Sequence, residues 1–243
     1  MKSIRFILKS RSTSKAVIVP LALLGAASLS HAATSANLLV DPGYETQATL
    51  PSYAAVVANF NTTKETWGTE NGVFVGSENG VIPRGGSRML RMVADGGVTT
   101  ATVQFISLAA YSSEIAAGNA SFNMNTLFNT SADRGAPTAS ITATFFAGDT
   151  SWGNPIGSGF ATSLVLDTAP NTWQNIAVGG NIPVGAGWIG FQVAFNNASL
   201  GGFQGYVDAT SELGGLTVTT VPEPSGTMLL GIGASILLVR RRK

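Results

Sequence analysis

Short alternating runs cut by turn signals constrain this chain more than any other feature. Turn-forming groups recur along it: Asp41-Pro42-Gly43, Asn71-Gly72, Asn79-Gly80, Gly85-Gly86, Asp95-Gly96-Gly97, Gly118-Asn119, Gly179-Gly180 and Gly201-Gly202. Between them apolar and polar residues alternate with period two, the pattern of strands with one buried face. Phe122 and Met124 share a face while Asn123 and Asn125 take the other. Ile141, Ala143 and Phe145 alternate with Thr142 and Thr144, and Ile189, Phe191, Val193 and Phe195 alternate with Trp188, Gly190, Gln192 and Ala194. Thr, Val, Phe and Ile fit a pleated surface well. Only residues 108–117 carry a short helical pattern. The prediction is an all-β sandwich of about eight to ten strands.

The types of chemistry open to such a domain are few. The chain has no Cys, which excludes disulfides, thiolate metal sites and a Cys nucleophile. Its one His, His31, lies in a segment read below as removed, so a Ser-His-Asp triad and a His-ligated metal are excluded too. The net charge of +1 hides an uneven distribution. Residues 33–220 carry 5 basic against 12 acidic side chains, a net of −7. Nucleic-acid binders need a cationic footprint on the folded part, and that class is excluded.

Both ends read as addresses. Residues 1–32 place a basic stretch (Lys2, Arg5, Lys9, Arg11, Lys15) before an apolar one and then Ser30-His31-Ala32, the layout of a secretory signal cleaved before Ala33. At the other end, Val221-Pro222-Glu223-Pro224-Ser225 precedes an apolar segment, 226–239, and a basic tail of Arg240, Arg241, Arg242 and Lys243. The two prolines lack N–H groups and hold the motif extended, as a protease groove requires. A basic tail after an apolar segment obeys the positive-inside rule. The tripartite order of residues 221–243 resembles the PEP-CTERM sorting signal of Gram-negative bacteria. That resemblance implies one transmembrane helix over 226–239, transient inner-membrane anchoring and cutting near the motif by an exosortase-like membrane transpeptidase. With signal peptidase acting at the other end, the destination is the cell envelope, outer surface or extracellular matrix.

The middle, residues 33–220, carries a second resemblance. Asn37-Leu38-Leu39-Val40-Asp41-Pro42-Gly43-Tyr44-Glu45 lies near its start, Gly86-Ser87-Arg88-Met89-Leu90-Arg91 and Gln104-Phe105-Ile106-Ser107-Leu108 follow, and Gly205-Tyr206-Val207-Asp208 lies near its end. This order is similar to the galactose-binding-like jelly roll of many carbohydrate-binding modules. The resemblance implies one structural calcium with Glu45 and Asp208 as carboxylate ligands, helped by backbone carbonyls near Gly43 and Ser87; their alternative is to be solvated or paired with Arg88 or Arg91. Calcium takes oxygen ligands of this kind. Sugar binding needs flat aromatic faces, and Trp67 and Trp152 stand in polar, turn-rich stretches where an aromatic side chain is expected at the surface. Trp173 and Trp188 stand in strand-like stretches and read as core. The acids form no recognisable acid/base motif, so the reading is a non-enzymatic, exported envelope protein associated with extracellular polysaccharide. The alternatives are a purely structural matrix protein and, last, a polysaccharide-cleaving enzyme.

Overall fold

The alternating run that begins at Ala120 becomes the longest strand among the described residues, and the rest of the architecture is arranged around it. The computed structural model describes residues 31–94, 99–132, 136–148, 153–196, 203–209 and 214–221. Among these the strands are, in chain order, β1 (Ala33–Thr34), β2 (Gly68–Thr69), β3 (Gly72–Val75), β4 (Met89–Ala94), β5 (Thr99–Ser107), β6 (Ala120–Thr130), β7 (Thr138–Phe146), β8 (Phe160–Val165), β9 (Gln174–Asn181), β10 (Trp188–Asn196), β11 (Phe203–Asp208) and β12 (Gly215–Thr220). They form two sheets. One runs β1-β12-β6-β11-β4-β3 with β9 also on β6, and the other runs β2-β5-β10-β7-β8. Every strand pair is antiparallel. The all-β, two-sheet sandwich expected from the alternation is what forms.

The alternation explains the packing. Phe122, Met124 and Phe128 of β6, Leu90 and Met92 of β4, Leu216 and Val218 of β12 face Ile141, Ala143 and Phe145 of β7 and Ile189, Phe191, Val193 and Phe195 of β10 in one core. Rings from the two sheets meet edge to face, Phe122 on Phe145 at 5.3 Å and Phe128 on Phe195 at 5.5 Å. Such pairs add to the stabilisation from area burial alone.

Three short helical segments join the sheets. The region 108–117 forms a 3-10 turn (Ala109–Tyr111) and then a helix (Ser112–Ala116), as its pattern predicted. Two more helices lie outside that expectation: α1 (Tyr53–Ala58) and α2 (Phe60–Thr63). Ser52 caps the first by accepting from Ala55 N–H, and Asn59 caps the second by accepting from Thr62 N–H. Val56 and Phe60 then cover Val103, Phe105, Phe146 and Trp188 on the outer face of the five-stranded sheet, with Phe60 stacked on Phe105 at 3.8 Å. Six and four residues are too few for a helical period to show in sequence.

β1 pairs with the end of β12, Ala33 opposite Thr220 and Thr34 opposite Thr219. Both ends of the sandwich therefore leave from the edge near Ala120. Residues 1–30 and 222–243 lie outside the described residues, and with them most of the expected signal segment, Pro222 to Ser225 of the expected sorting motif, the 226–239 segment and the basic tail. Val221 is exposed. Among the described residues no helix is long and apolar enough to cross a membrane.

Gly205 of β11 marks a close approach of the two sheets, since a Cβ there would lie 2.4 Å from the Phe195 ring. Gly205→Ala is expected to destabilise the protein by about 1–3 kcal/mol through overpacking. Gly148→Ala, with nothing within 4 Å of the added carbon, is the matched neutral control. Thermal melts of the two variants check this.

Candidate binding site

The first turn, Asp41-Pro42-Gly43-Tyr44, bends sharply enough to put two residues other than glycine in the left-handed region, Asp41 at φ 50° and Tyr44 at φ 59°. Asp41 holds the chain that follows. Its carboxylate accepts from the backbone N–H groups of Glu45 at 2.7 Å, Thr46 at 3.0 Å and Gln47 at 2.7 Å. Trp67 closes the turn from inside. It is 1% exposed, and its indole N–H donates to the carbonyls of Val40 and Asp41 at 3.0 and 3.1 Å. Its backbone exchanges hydrogen bonds with the Gln47 amide, and its ring meets Tyr44 at 5.1 Å and Phe191 edge-on at 5.8 Å. The expectation of Trp67 as a sugar-stacking platform is thereby corrected. Its N–H is bonded within the turn, and other rings pack against its ring. Trp152 lies outside the described residues.

Glu45 and Asp208 arrive at the same loop, residues 84–88, from opposite ends of the chain. Glu45 Oε1 accepts from Ser87 N–H at 2.9 Å and Arg88 N–H at 2.7 Å, and its Oε2 accepts from the Ser87 hydroxyl at 2.9 Å. Asp208 is fully buried. Its Oδ2 accepts from the N–H groups of Arg84 and Gly85, and its Oδ1 from Ala209 N–H. Gly86, at φ +61°, is needed between them, because a Cβ there would lie 2.4 Å from Glu45 Oε1. The partners that hold both acids are backbone N–H groups and one hydroxyl, not the Arg88 and Arg91 guanidiniums. Arg88 instead reaches the Gln47 carbonyl and the face of Phe74, and Arg91 pairs with Glu78 at 3.1 Å.

A cleft of about 500 Å³ lies beside these acids, lined by Asn37, Asp41, Gly43, Glu45, Gly86 and Ala209. Calcium needs a shell of carboxylate and carbonyl oxygens turned toward one point. Here the carboxylate oxygens of Asp41, Glu45 and Asp208 accept from backbone N–H groups and, at Glu45 Oε2, from the Ser87 hydroxyl. Among the described residues no three His, Cys, Asp or Glu side chains group in a way that holds a metal. The structure brings Glu45 and Asp208, the two acids expected to ligate calcium, to one loop, and their hydrogen bonds anchor that loop.

The loop so anchored belongs to a longer strap, residues 76–88, that folds back over the outer face of the seven-stranded sheet. Asn79-Gly80 forms its tip, with Glu78 and Val81 bridged and both turn residues at positive φ (51° and 80°), as this dipeptide favours in two-residue hairpins. Beneath it Val81, Met89 and Tyr206 pack with Val75 and Trp173. The Tyr206 hydroxyl donates to Glu78 at 3.1 Å, Asn79 donates to Tyr206 and Gln204, and Trp173 Nε1–H donates to the Ile82 carbonyl at 3.0 Å. Between the strap and the loop before β9 opens a groove of about 220 Å³, lined by Gly80, Ile82, Pro83, Arg84, Pro170, Asn171 and Trp173. Ile82 is 66% exposed, and Trp173 is only partly buried. Sequence reasoning assigned Trp173 to the core. The signal that places it at a surface is its position after Pro170-Asn171, outside the alternating run that follows.

No family model matches the sequence, and no curated protein does. Among solved structures the chain is similar in fold to TmCBM61 in complex with beta-1,4-galactotriose, at 14% identity and a TM-score of 0.42, covering 76% of this chain and 99% of that one. It is also similar to the C-terminal family 22 carbohydrate-binding module of Clostridium thermocellum Xyn10B, at 14% identity and TM-score 0.42, covering 65% and 87%. A third is the arabinose-bound MgGH51 α-L-arabinofuranosidase, at 12% identity and TM-score 0.42, covering 79% of this chain and 28% of that one. A shared ligand does not follow from likeness at this level.

The two anchoring acids respond oppositely to their surroundings. Burial pushes Asp208 up to about 6, opposed by the amides of Gly85, Ala209 and Arg84 and reinforced by the charge of Glu45. Burial acts in the same direction on Glu45, but the amide of Arg88, the hydroxyl and amide of Ser87 and the Arg88 charge outweigh it and hold the carboxyl below its ordinary 4.5. Between about pH 4 and 6 the native state thus keeps a proton on Asp208 that the unfolded chain, near 3.8, has lost. Stability should fall as pH rises from about 4 through about 6, while the Glu45 contribution is lost only below its ordinary range. Melting temperatures from pH 4.5 to 7.5 should decline through pH 6 in the native chain, and that decline should flatten in Asp208→Asn.

Proposed function

We propose that this chain is an exported, non-enzymatic envelope protein whose β-sandwich binds extracellular polysaccharide through the groove between the strap and the loop before β9. The observation that carries the reading is the groove's lining. Trp173 has its N–H bonded to Ile82, which fixes the plane of the ring, and apolar faces of Ile82, Pro83 and Pro170 stand beside it. Arg84 and Asn171 supply polar atoms at its margin. A sugar ring presents the same mixture, apolar C–H faces with hydroxyls around the edge. Sites of this kind combine apolar walls with a few placed polar groups.

The export part of the proposal rests on the order of segments in the sequence: the signal layout of residues 1–32, the Val221-Pro222-Glu223-Pro224-Ser225 motif, the 226–239 apolar segment and the basic tail. In this reading signal peptidase and an exosortase-like transpeptidase trim the chain, and the groove-bearing sandwich of jelly-roll type remains at the envelope or in the matrix. A structural matrix role without a glycan site is the competing reading, and the absence of saturable binding would establish it.

Two measurements test these parts separately. Intact-mass analysis of the protein recovered from the producing cells should give a chain that begins at Ala33 and ends near residues 221–225; a chain retaining both termini would overturn the sorting reading. Calorimetric titration of the full-length protein with the cells' own exopolysaccharide should show saturable binding, and Trp173→Ala should weaken it about tenfold. Unchanged affinity in that variant would remove the groove from the proposal.

A further inference from the structure

Arg84 stands apart from the other described arginines of the sandwich. Arg91 is paired with Glu78, and Arg88 is bonded to the Gln47 carbonyl and lies over Phe74. Arg84 is exposed, lines the groove, and among the described residues its guanidinium has neither an ion pair nor a hydrogen bond. Its backbone is fixed, because its N–H donates to the buried carboxylate of Asp208 and the next N–H, of Gly85, does the same at 3.1 Å. The side chain therefore starts from a pinned point on the strap, and Trp173 lines the same groove.

Acids on the two segments that build the groove do not compete for it. Glu78 is taken by Arg91 and Tyr206, and Asp167 accepts from Ala169 N–H at 3.0 Å and from the Thr172 hydroxyl at 2.9 Å. A planar guanidinium with free N–H donors matches a carboxylate in bidentate fashion, and an adjacent aromatic and proline surface matches the sugar ring that carries it. We propose that the groove selects glycans bearing a carboxylate, such as uronic acid units, with Arg84 on the carboxylate and Trp173 with Ile82 and Pro170 on the ring face. The inference rests on the polysaccharide reading above and adds the charge class to it.

The net of −7 on residues 33–220 shapes how such binding behaves. Charges elsewhere on the domain are screened over about 8 Å at physiological ionic strength, so one local cation is enough for a single carboxylate. The net charge of the sandwich gives a polyanion no general attraction to it, so the part of the binding that Arg84→Gln removes reports on this groove.

The test uses the full-length protein in a chelator-containing buffer and four probes: polygalacturonate and alginate, each beside its methyl ester, which keeps the backbone and removes the charge. At least one free acid should bind about tenfold more tightly than its own ester. Arg84→Gln, an exposed substitution that leaves the strap's backbone bonds in place, should erase that difference, and Arg84→Lys should restore only part of it. Equal binding of acid and ester, with loss in Trp173→Ala, would overturn the charge assignment and leave the polysaccharide reading standing. Binding of acids that is unchanged in Arg84→Gln would place the carboxylate elsewhere and overturn it as well. If none of the four binds while the cells' own exopolysaccharide does, the uronate assignment fails alone; if neither binds, both readings fail together.

Discussion

Backbone amides at residues 84, 85, 87 and 88 must find acceptors away from any strand partner, and two carboxylates meet that requirement. Glu45 comes from the first turn and Asp208 from the end of β11, so the strap stays in place only when the two distant parts of the chain have met. Much else follows from this one arrangement. It sets the height of the strap over Met89 and Tyr206, lets the Ile82 carbonyl reach Trp173, and holds Arg84 at the groove margin. It also accounts for two acids that would otherwise sit oddly on an anionic surface.

Much of the sandwich was legible before any coordinates. Period-two alternation in β6, β7 and β10 named the inward faces correctly, because a strand with one buried face has no other way to satisfy both core and solvent. The meeting of Glu45 with Asp208 at one loop was also legible, through the order of the motifs. Their hydrogen bonds to backbone amides there were not, since sequence does not show which donors a carboxylate meets. The helices α1 and α2 were missed because six and four residues cannot display a period, and their existence depends on Phe60 and Val56 finding Phe105 and Val103 in three dimensions.

The tryptophans show how local context misleads. Trp67 is surrounded in sequence by Thr, Glu and Asn, yet it is buried by a turn twenty-six residues earlier that needs an indole N–H for its carbonyls. Trp173 precedes an alternating strand, yet it packs on the outside of a sheet beneath a strap that begins almost a hundred residues before it. Exposure of a large ring is decided by which distant segment folds over it, and composition nearby carries little of that information.

The pairing of β1 with the end of β12 has a mechanical consequence. Thr220 is opposite Ala120 at one end of β6, and Gln174, next to Trp173, is opposite Phe128 toward the other, about 27 Å away at roughly 3.4 Å per residue. A pull entering at Val221 and resisted in the groove therefore runs lengthwise along the central strand. The hydrogen bonds on either flank of β6 lie across that line and are loaded together in shear rather than opened one after another. Load applied between those two points runs along the strands, the direction in which many ladder hydrogen bonds resist at once.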